Sequence, residues 1–363
     1  MTVALEPRDW LIAISQLDGI GRRTLHSLLP YLQQLPNSLT MTHLSLPSLP
    51  NLTLQRRSKI KELNSDVVLQ VKRKLKDLRI QTITRLDSNY PPSLLEIADP
   101  PYVLYARGNL ELLSVPAVAV VGTRMPTHYG RKVAFQLSAE LSDAGYAVIS
   151  GLAKGVDTEA HKGSLPFIGR TIAILGSGIN VIYPRENEAL YKEIIQRGLI
   201  LSEYPPGYPS HPLHFPARNR LISGLSLGVV VVEAAVKSGS AITVRCALDQ
   251  GKDVFAVPGP IYSPLSQGTN LLIQEGAKLV THIRDILEEL PSESSNSGNF
   301  FKGEELTERQ SKILDKIEDT AITIDQLAEE VQMPVQEVLT ELLILQIKGK
   351  IERMDGSMYA KRK

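Results

Sequence analysis

Cysteine is almost missing from this chain. The single one, Cys246, has no partner for an intrachain disulfide and cannot build a multi-cysteine metal site. Its setting, TVRCALDQG, reads as an interior helix, so the thiol is expected to serve as a small buried hydrophobe. Long apolar runs are absent too. None approaches the roughly 20 residues of a membrane span, and the opening MTVALEPRDW lacks the basic and apolar regions of a secretory signal. These features predict a cytoplasmic protein with no membrane span. Net charge is scarce, at +1, and unevenly spread. Residues 1–90 hold 13 basic and 7 acidic groups, 91–290 hold 17 and 18, and 291–363 hold 10 and 14. A modest basic head beside a neutral body argues against a dedicated duplex-DNA binder, so any nucleic-acid site must be local.

Several signatures of phosphate and hydrolytic chemistry do not occur. Without GxxxxGK[ST] there is no P-loop triphosphatase. LGSGINVIYP lacks the third glycine of the dinucleotide fingerprint, and no acidic residue follows at the strand end that would hold a ribose, which argues against a nicotinamide or flavin cofactor. No serine elbow or HExxH appears. Asp157 and His161, four apart, share one helix face and form a conceivable metal or acid-base pair. However, Asp157 sits where a helix N-cap is expected and no third ligand follows, so no metal is expected.

What is present is a regular alternation. AVAVVG, YAVISG, TIAILG, LILSEY, GVVVVEA and DVFAVPG are short, nearly continuous apolar runs separated by helix-length segments. They predict an α/β fold with a doubly wound, Rossmann-like, mostly parallel sheet buried on both faces. QTITRL adds a strand ahead of them, and NYPPSLLEIADPPYVLYARG reads as an extended lead-in. Between Val118 and Ala277, glycine-bearing loops fall where each apolar run gives way to a helix: VVGTR, SGLAKGVD, LGSG, FPARNR, EAAVKSGSAIT and VPGPIYSPLSQGTN. Ligands of such sheets sit beyond the carboxyl ends of the strands, where glycine turns and helix N-termini offer N–H groups to phosphate. One nucleotide or a strand of nucleic acid would fit such a face.

The flanks differ. DWLIAISQLDGIGRRTLHSLLPYL has a helix-hairpin-helix pattern around Asp18-Gly19-Ile20-Gly21, with Arg22 and Arg23 next; the same glycines would also serve a plain helical interaction module. Residues 53–79 read as one or two further helices with a basic, solvated face. The expected division is a helical domain over 1–80, a Rossmann-like core over 81–290, a serine-rich flexible linker over 291–303 and a winged-helix domain over 304–363. In that tail three helical segments precede two short strands with an Asp355-Gly356 turn. Its third helix carries Glu337 and Glu341 and no basic residue before Lys348, which argues against groove binding and favours a protein contact.

VAVVGTR, SGLAKGVDTEAH, TIAILGSG, SEYPPG, FPARNRLISGLS, VVEAAVKSGSAIT and VFAVPG with QGTNLLIQEGA occur in order over about residues 90 to 280. Together they resemble the DNA-processing protein A family, also called Smf. The resemblance implies a non-enzymatic protein of natural transformation and recombination. Such a protein binds incoming single-stranded DNA without sequence preference, protects it and helps load a RecA-type recombinase. It also implies a homodimer formed through the segment around Gly268 to Leu287.

The family's DNA contacts fall on Arg124 of GTR and on Phe215 with its neighbours. On physical grounds, Arg124 follows Gly122 at a strand end, where a guanidinium can pair with phosphate beside the N–H groups of the turn. In FPARNR, Arg218 and Arg220 bring two cations near Phe215, the pairing of charge and flat ring that sequence-tolerant binding needs. For one of these arginines an ion pair, for example with Glu233, is an equal alternative, and Phe215 is alternatively a core ring. Gly151 and Lys154 of the second glycine loop, and Lys237, Ser240 and Arg245 around the later helix N-terminus, complete the candidate set; Ser238, Ser240 and Thr243 are alternatively capping residues.

Two rival functions remain at this point. A related doubly wound family cleaves the N-glycosidic bond of nucleoside monophosphates through PGGxGTxxE. Here VPGP and QGTN are separate and only Glu233 offers a loose substitute for the catalytic glutamate. A scaffold that joins recombination proteins and binds DNA weakly would show little salt dependence, whereas a groove with several phosphate contacts would show a steep one.

Overall fold

The apolar runs become a single nine-stranded sheet. A computed structural model of the chain describes residues 5–33, 53–167, 169–290, 306–317, 322–347, 350–353 and 358–361. The proposed linker 291–303, the Asp355-Gly356 turn and Lys348 lie outside the described residues. Four helices come first: α1 (Pro7–Ser15), α2 (Arg22–Gln33), α3 (Leu54–Lys61) and α4 (Ser65–Asp77). Then follow β1 (Gln81–Thr84), α5 (Pro92–Leu95), β2 (Val103–Gly108), β3 (Ala117–Val121), α6 (His128–Asp143), β4 (Ala147–Ser150), α7 (Val156–Ser164) and β5 (Thr171–Leu175). The core continues through α8 (Glu188–Arg197), β6 (Leu199–Ser202), α9 (His214–Gly224), β7 (Gly228–Val231), α10 (Ser240–Asp249), β8 (Asp253–Ala256), α11 (Gln267–Gln274), β9 (Lys278–Leu279) and α12 (Arg284–Leu287).

The strand order is β1-β2-β6-β5-β4-β3-β7-β8-β9. From β6 to β9 every neighbour pair is parallel, while β2 runs antiparallel to both β1 and β6. The lead-in thus contains a strand, Val103–Gly108, whose alternation Val103, Tyr105 against Leu104, Ala106 feeds both faces of the sheet. The order reverses between β3 and β7, the switch point at which doubly wound sheets open a crevice.

Side chains of successive strand residues divide the core in two. On one face Val118, Val120 and Val148 pack under α6 and α7 through Ala134, Leu141, Val156 and Ala160. Farther along that face, Ala173, Leu175 and Ile200 meet α8 and the helical head in one cluster with Trp10, Leu11 and Ile14. On the other face Ala119, Val121, Ile149 and Ile174 pack under α9 and α10 through Leu221, Ile222, Val244 and Ala247. The head is therefore bonded to the sheet: α1 is buried from Asp9 to Ile14, Ser15 Oγ lies 2.8 Å from Tyr105 Oη, and Arg8 Nη2 donates to the Thr82 carbonyl oxygen of β1 at 3.0 Å. Between head and core, α4 ends at Asp77 and β1 begins at Gln81.

In the tail, α13 (Glu308–Lys316), α14 (Ile324–Val331) and α15 (Val335–Ile347) pack with β10 (Ile322–Thr323), β11 (Ile351–Arg353) and β12 (Met358–Lys361) in a winged-helix arrangement. Threonine capping boxes start α13 at Thr307 and α14 at Thr323. No helix among the described residues is long and apolar enough to cross a membrane.

Candidate nucleic-acid interface

The parallel sheet brings the glycine loops to one edge, beyond the carboxyl ends of β3 to β8. Gly122 ends β3 where backbone and side chains converge: a Cβ there would lie 2.7 Å from Val156 Cγ2 and 2.8 Å from the Glu233 carbonyl oxygen. Thr123 N–H donates to that carbonyl at 2.7 Å, which ties the GTR loop across the switch point to the loop after β7. The chain then releases Arg124 to solvent. Its guanidinium carbon stands 5.7 Å from the centroid of the Phe215 ring, and among the described residues no carboxylate pairs with it. Phe215, at the second position of α9, is half-buried, and Tyr183 from the loop after β5 covers it at 5.3 Å with 46% of the tyrosine exposed. A cation with no acidic partner and two adjoining rings thus sit together at the edge.

The two arginines of FPARNR face away from solvent. Arg218 is buried at 5%, and its Nη1 donates to the carbonyl oxygens of Gly151, at 2.8 Å, and Ile174. A Cβ on Gly151 would collide with this guanidinium, so the glycine serves its passage. Burial lowers the Arg218 pKa to about 10, which leaves it charged near neutrality. Arg220 is 11% exposed and grips Glu203 with Nη2 2.9 Å from both carboxylate oxygens, with Asp99 Oδ2 3.6 Å from its Nε. The expected partner of such an ion pair, Glu233, is engaged elsewhere. It accepts from Thr127 N at 2.9 Å and Thr127 Oγ1 at 2.6 Å at the start of α6, the helix that follows β3, the strand paired with β7. Arg22 of the helix-hairpin-helix pattern joins the Asp99 and Glu203 cluster, so its charge ties the head to the core.

Asp157 and His161 do share a face of α7, but both are buried beneath the second glycine loop. The helix is capped at Gly155, not Asp157. The carboxylate of Asp157 reaches back to Gly151 N–H at 3.1 Å and Ala153 N–H at 3.3 Å. His161 Nε2 accepts from Leu152 N–H at 3.3 Å and Nδ1 lies 2.7 Å from Thr171 Oγ1. Burial, and secondarily the Arg218 charge, lowers the His161 pKa to about 3. Burial pushes Asp157 up, opposed by Arg218. Asp157 and His161 Nε2 hold loop backbone and His161 Nδ1 meets a β5 hydroxyl, and no group of three metal-ligating side chains occurs among the described residues.

The remaining candidates are scattered along the same edge. Lys154 is exposed and paired with Glu186. Lys237 is exposed in the loop before α10. Ser240 is buried at the first position of α10 with Oγ 2.7 Å from Ser238 Oγ; Gly239 is the N-cap and no side chain caps the helix. Arg245 lies exposed halfway along α10, away from its N-terminus. Cys246 is half-buried, not fully buried, and burial raises its pKa, which keeps it a thiol.

Sequence reasoning missed the rings that surround Phe215. Tyr183, Tyr204, Tyr208, His211 and His214 all stand on loops after β5 and β6 or at the start of α9. Exposed apolar side chains repeat the pattern: Met125, Val236, Ile261 and Tyr262 follow β3, β7 and β8, and Tyr262 is 91% exposed. Their position after apolar runs was the available signal.

Known proteins resemble this chain along most of its length. The family model described as DNA recombination-mediator protein A matches residues 81–291, and one described as the DprA winged helix domain matches 302–357. Protein Smf of Escherichia coli (strain K12) is 40% identical over 282 residues, 76% of this chain and 75% of its own length. Protein Smf of Synechocystis sp. is 32% identical over 98% of this chain and 99% of its own. An X-ray structure of DNA processing protein A from Streptococcus pneumoniae aligns with a TM-score of 0.63 and 38% identity, over 78% of this chain and 98% of that one. A structure of DNA processing protein A from Helicobacter pylori, reported for its single-stranded DNA binding mode, aligns with a TM-score of 0.54 and 36% identity, over 58% and 94%.

Proposed function

The chain belongs to the DNA recombination-mediator protein A family, and from that premise we propose that it is a sequence-independent single-stranded DNA-binding protein of natural transformation and recombination. It works in the cytoplasm as a binding protein, not an enzyme, with the division into head, core, linker and tail set out above. The observation that carries the reading is the exposed Arg124 guanidinium beside the Phe215 ring at the carboxyl edge of the sheet. A phosphate takes the cation, a base stacks on the rings, and neither contact reads sequence. Lys237 and, on release from Glu186, Lys154 extend the phosphate track, and the tight Gly122 and Gly151 turns shape the edge between them. Arg218 and Arg220 support the floor of the track from within. Ser240 belongs to the turn that leads into α10, next to Lys237. Helicobacter pylori DNA processing protein A, by its description a single-stranded DNA binder, supports the same ligand class here.

A homodimer formed at the β9 end of the sheet, where Leu271 and Leu279 are partly exposed, presents two such tracks to one strand. The bound strand is protected and passed to a RecA-type recombinase. Glycosidic-bond cleavage is disfavoured by Glu233, which is 3% exposed with both carboxylate oxygens bonded to Thr127.

The test is fluorescence anisotropy of a labelled single-stranded oligonucleotide across a salt series, beside a matched duplex and free nucleotides. Wild type binds the single strand in preference to both, with a steep salt dependence. Arg124→Ala weakens it about 30-fold, the worth of one charge-assisted contact, and lowers the salt slope by about one unit. Equal binding of duplex, or binding of mononucleotide alone, would sink the reading.

A further inference from the structure

Four more rings gather at His214, the residue before Phe215 at the start of α9, and form a ledge. Tyr204 and Tyr208 stack at 5.4 Å with 16° between planes; His214 stacks on Tyr204 at 4.4 Å and lies 5.3 Å from Tyr208; His211 lies 5.3 Å from His214. The inner rings are half-buried, whereas Tyr208 is 40% exposed and His211 is exposed. The ledge is held by backbone: Gly178 N–H donates to the Tyr208 carbonyl oxygen at 2.8 Å, Tyr208 N–H to Pro205 at 3.1 Å, and Gly207 N–H to Asn180 Oδ1 at 2.6 Å. These bonds fix the loop after β6 to the loop after β5, so the rings are ordered before any ligand arrives.

We propose that this ledge is a second base-binding subsite, in which Tyr208 and His211 stack an unpaired nucleobase of the same strand that Arg124 and Phe215 hold. The proposal rests on the single-strand reading above. Three observations favour a nucleobase as the occupant. His214 and Phe215 are consecutive residues, so the ledge continues the Arg124–Phe215 patch. The exposed members, Tyr208 and His211, are aromatic rings, which suit any base. The nearby carboxylates, Glu203 and Asp99, are matched by Arg22 and Arg220, so a passing phosphate meets no uncompensated negative charge. Those arginines are spent on that pairing, and among the described residues the ledge lacks a cation of its own to hold a free nucleotide. It gains a base only when the strand is already tethered at Arg124, through high effective concentration.

Full-length protein is titrated with oligothymidines of about 4 to 16 nucleotides, the range of site sizes for stacking grooves. Wild-type affinity rises at the length that spans both patches. Tyr208→Ala and His211→Ala each remove that rise, by about tenfold for Tyr208→Ala, and leave the shortest oligonucleotides unchanged. Tyr208→Phe keeps the rise, and abasic spacers at the positions that reach the ledge abolish it in wild type without affecting Tyr208→Ala. Thermal melting monitors the fold, and exposed His211→Ala serves as the probe if Tyr208→Ala melts early. If both variants match wild type at every length while Arg124→Ala still weakens binding, the ledge is no subsite and the single-strand reading stands. An equal loss at all lengths assigns Tyr208 to loop support and overturns the proposal. Failure of wild type to bind any length overturns the single-strand reading itself.

Discussion

Two parts of this molecule have the shape of a nucleic-acid site, and their chemistry is opposite. The carboxyl edge of the sheet presents Arg124 without an acidic partner among the described residues, beside exposed rings. The tail presents α15, the element that a winged-helix protein lays in a major groove. Yet Glu337 on α15 is paired with Arg309 at 3.0 Å, and Glu341 accepts from Gln310 Nε2 at 3.0 Å. Its Ile344 is buried against Ala139 of α6 and Phe167 of the core. The contrast teaches that architecture supplies a location, whereas the residual charge after internal pairing decides whether phosphate is welcome there.

The comparison is sharpened most by acid. His161 is kept neutral under the edge, with a pKa lowered to about 3, while 304–363 contains no histidine. The unfolded chain takes up a proton below its ordinary value of 6.5, so stability is full above that pH and falls as pH drops toward 3. Between pH 6.5 and 4 this costs the core about 3 kcal/mol. Buried Asp157, shifted up, acts in the opposite sense, so the comparison with His161→Gln isolates the histidine. Calorimetry across that range is expected to show the core transition falling steeply in wild type and less in the variant, with the tail transition unaffected. Equal slopes would remove the buried histidine from the account.

Next in size, Phe215→Ala is expected to weaken single-strand binding about tenfold with little change in salt slope, since it removes stacking and no charge. A changed slope would mean that the ring serves chiefly to place Arg124. The smallest effect belongs to the tail: Glu337→Lys with Glu341→Lys should leave single-strand affinity within about twofold, because both lie outside the track and exposed ion pairs contribute little. A larger change, read by the same anisotropy titration, would break the contrast and bring the tail into the strand's path.

Much of the edge was legible without coordinates. Parallel strands read as continuous apolar runs because both of their faces are covered, and the loops that follow them must share one edge. That put Gly122, Arg124, Gly151 and Phe215 in one neighbourhood before any distance was known. The orientation of each side chain was not legible. Arg218 and Arg220 are two apart on α9, roughly 200° around a helix, so one helix turn sends them to different partners, the Gly151 carbonyl and Glu203. Local pattern also missed β2, which follows two prolines and pairs with the distant β6.

The sequence by itself determined the layered fold, the edge at which the glycine loops gather, the winged tail and the family, because periodicity, glycine placement and motif order are properties of the chain. Tertiary structure alone decided which cations remain available. A guanidinium is drawn to any carboxylate or carbonyl within reach, and only the packed molecule shows that Arg22, Arg218 and Arg220 have such partners while Arg124 has a ring.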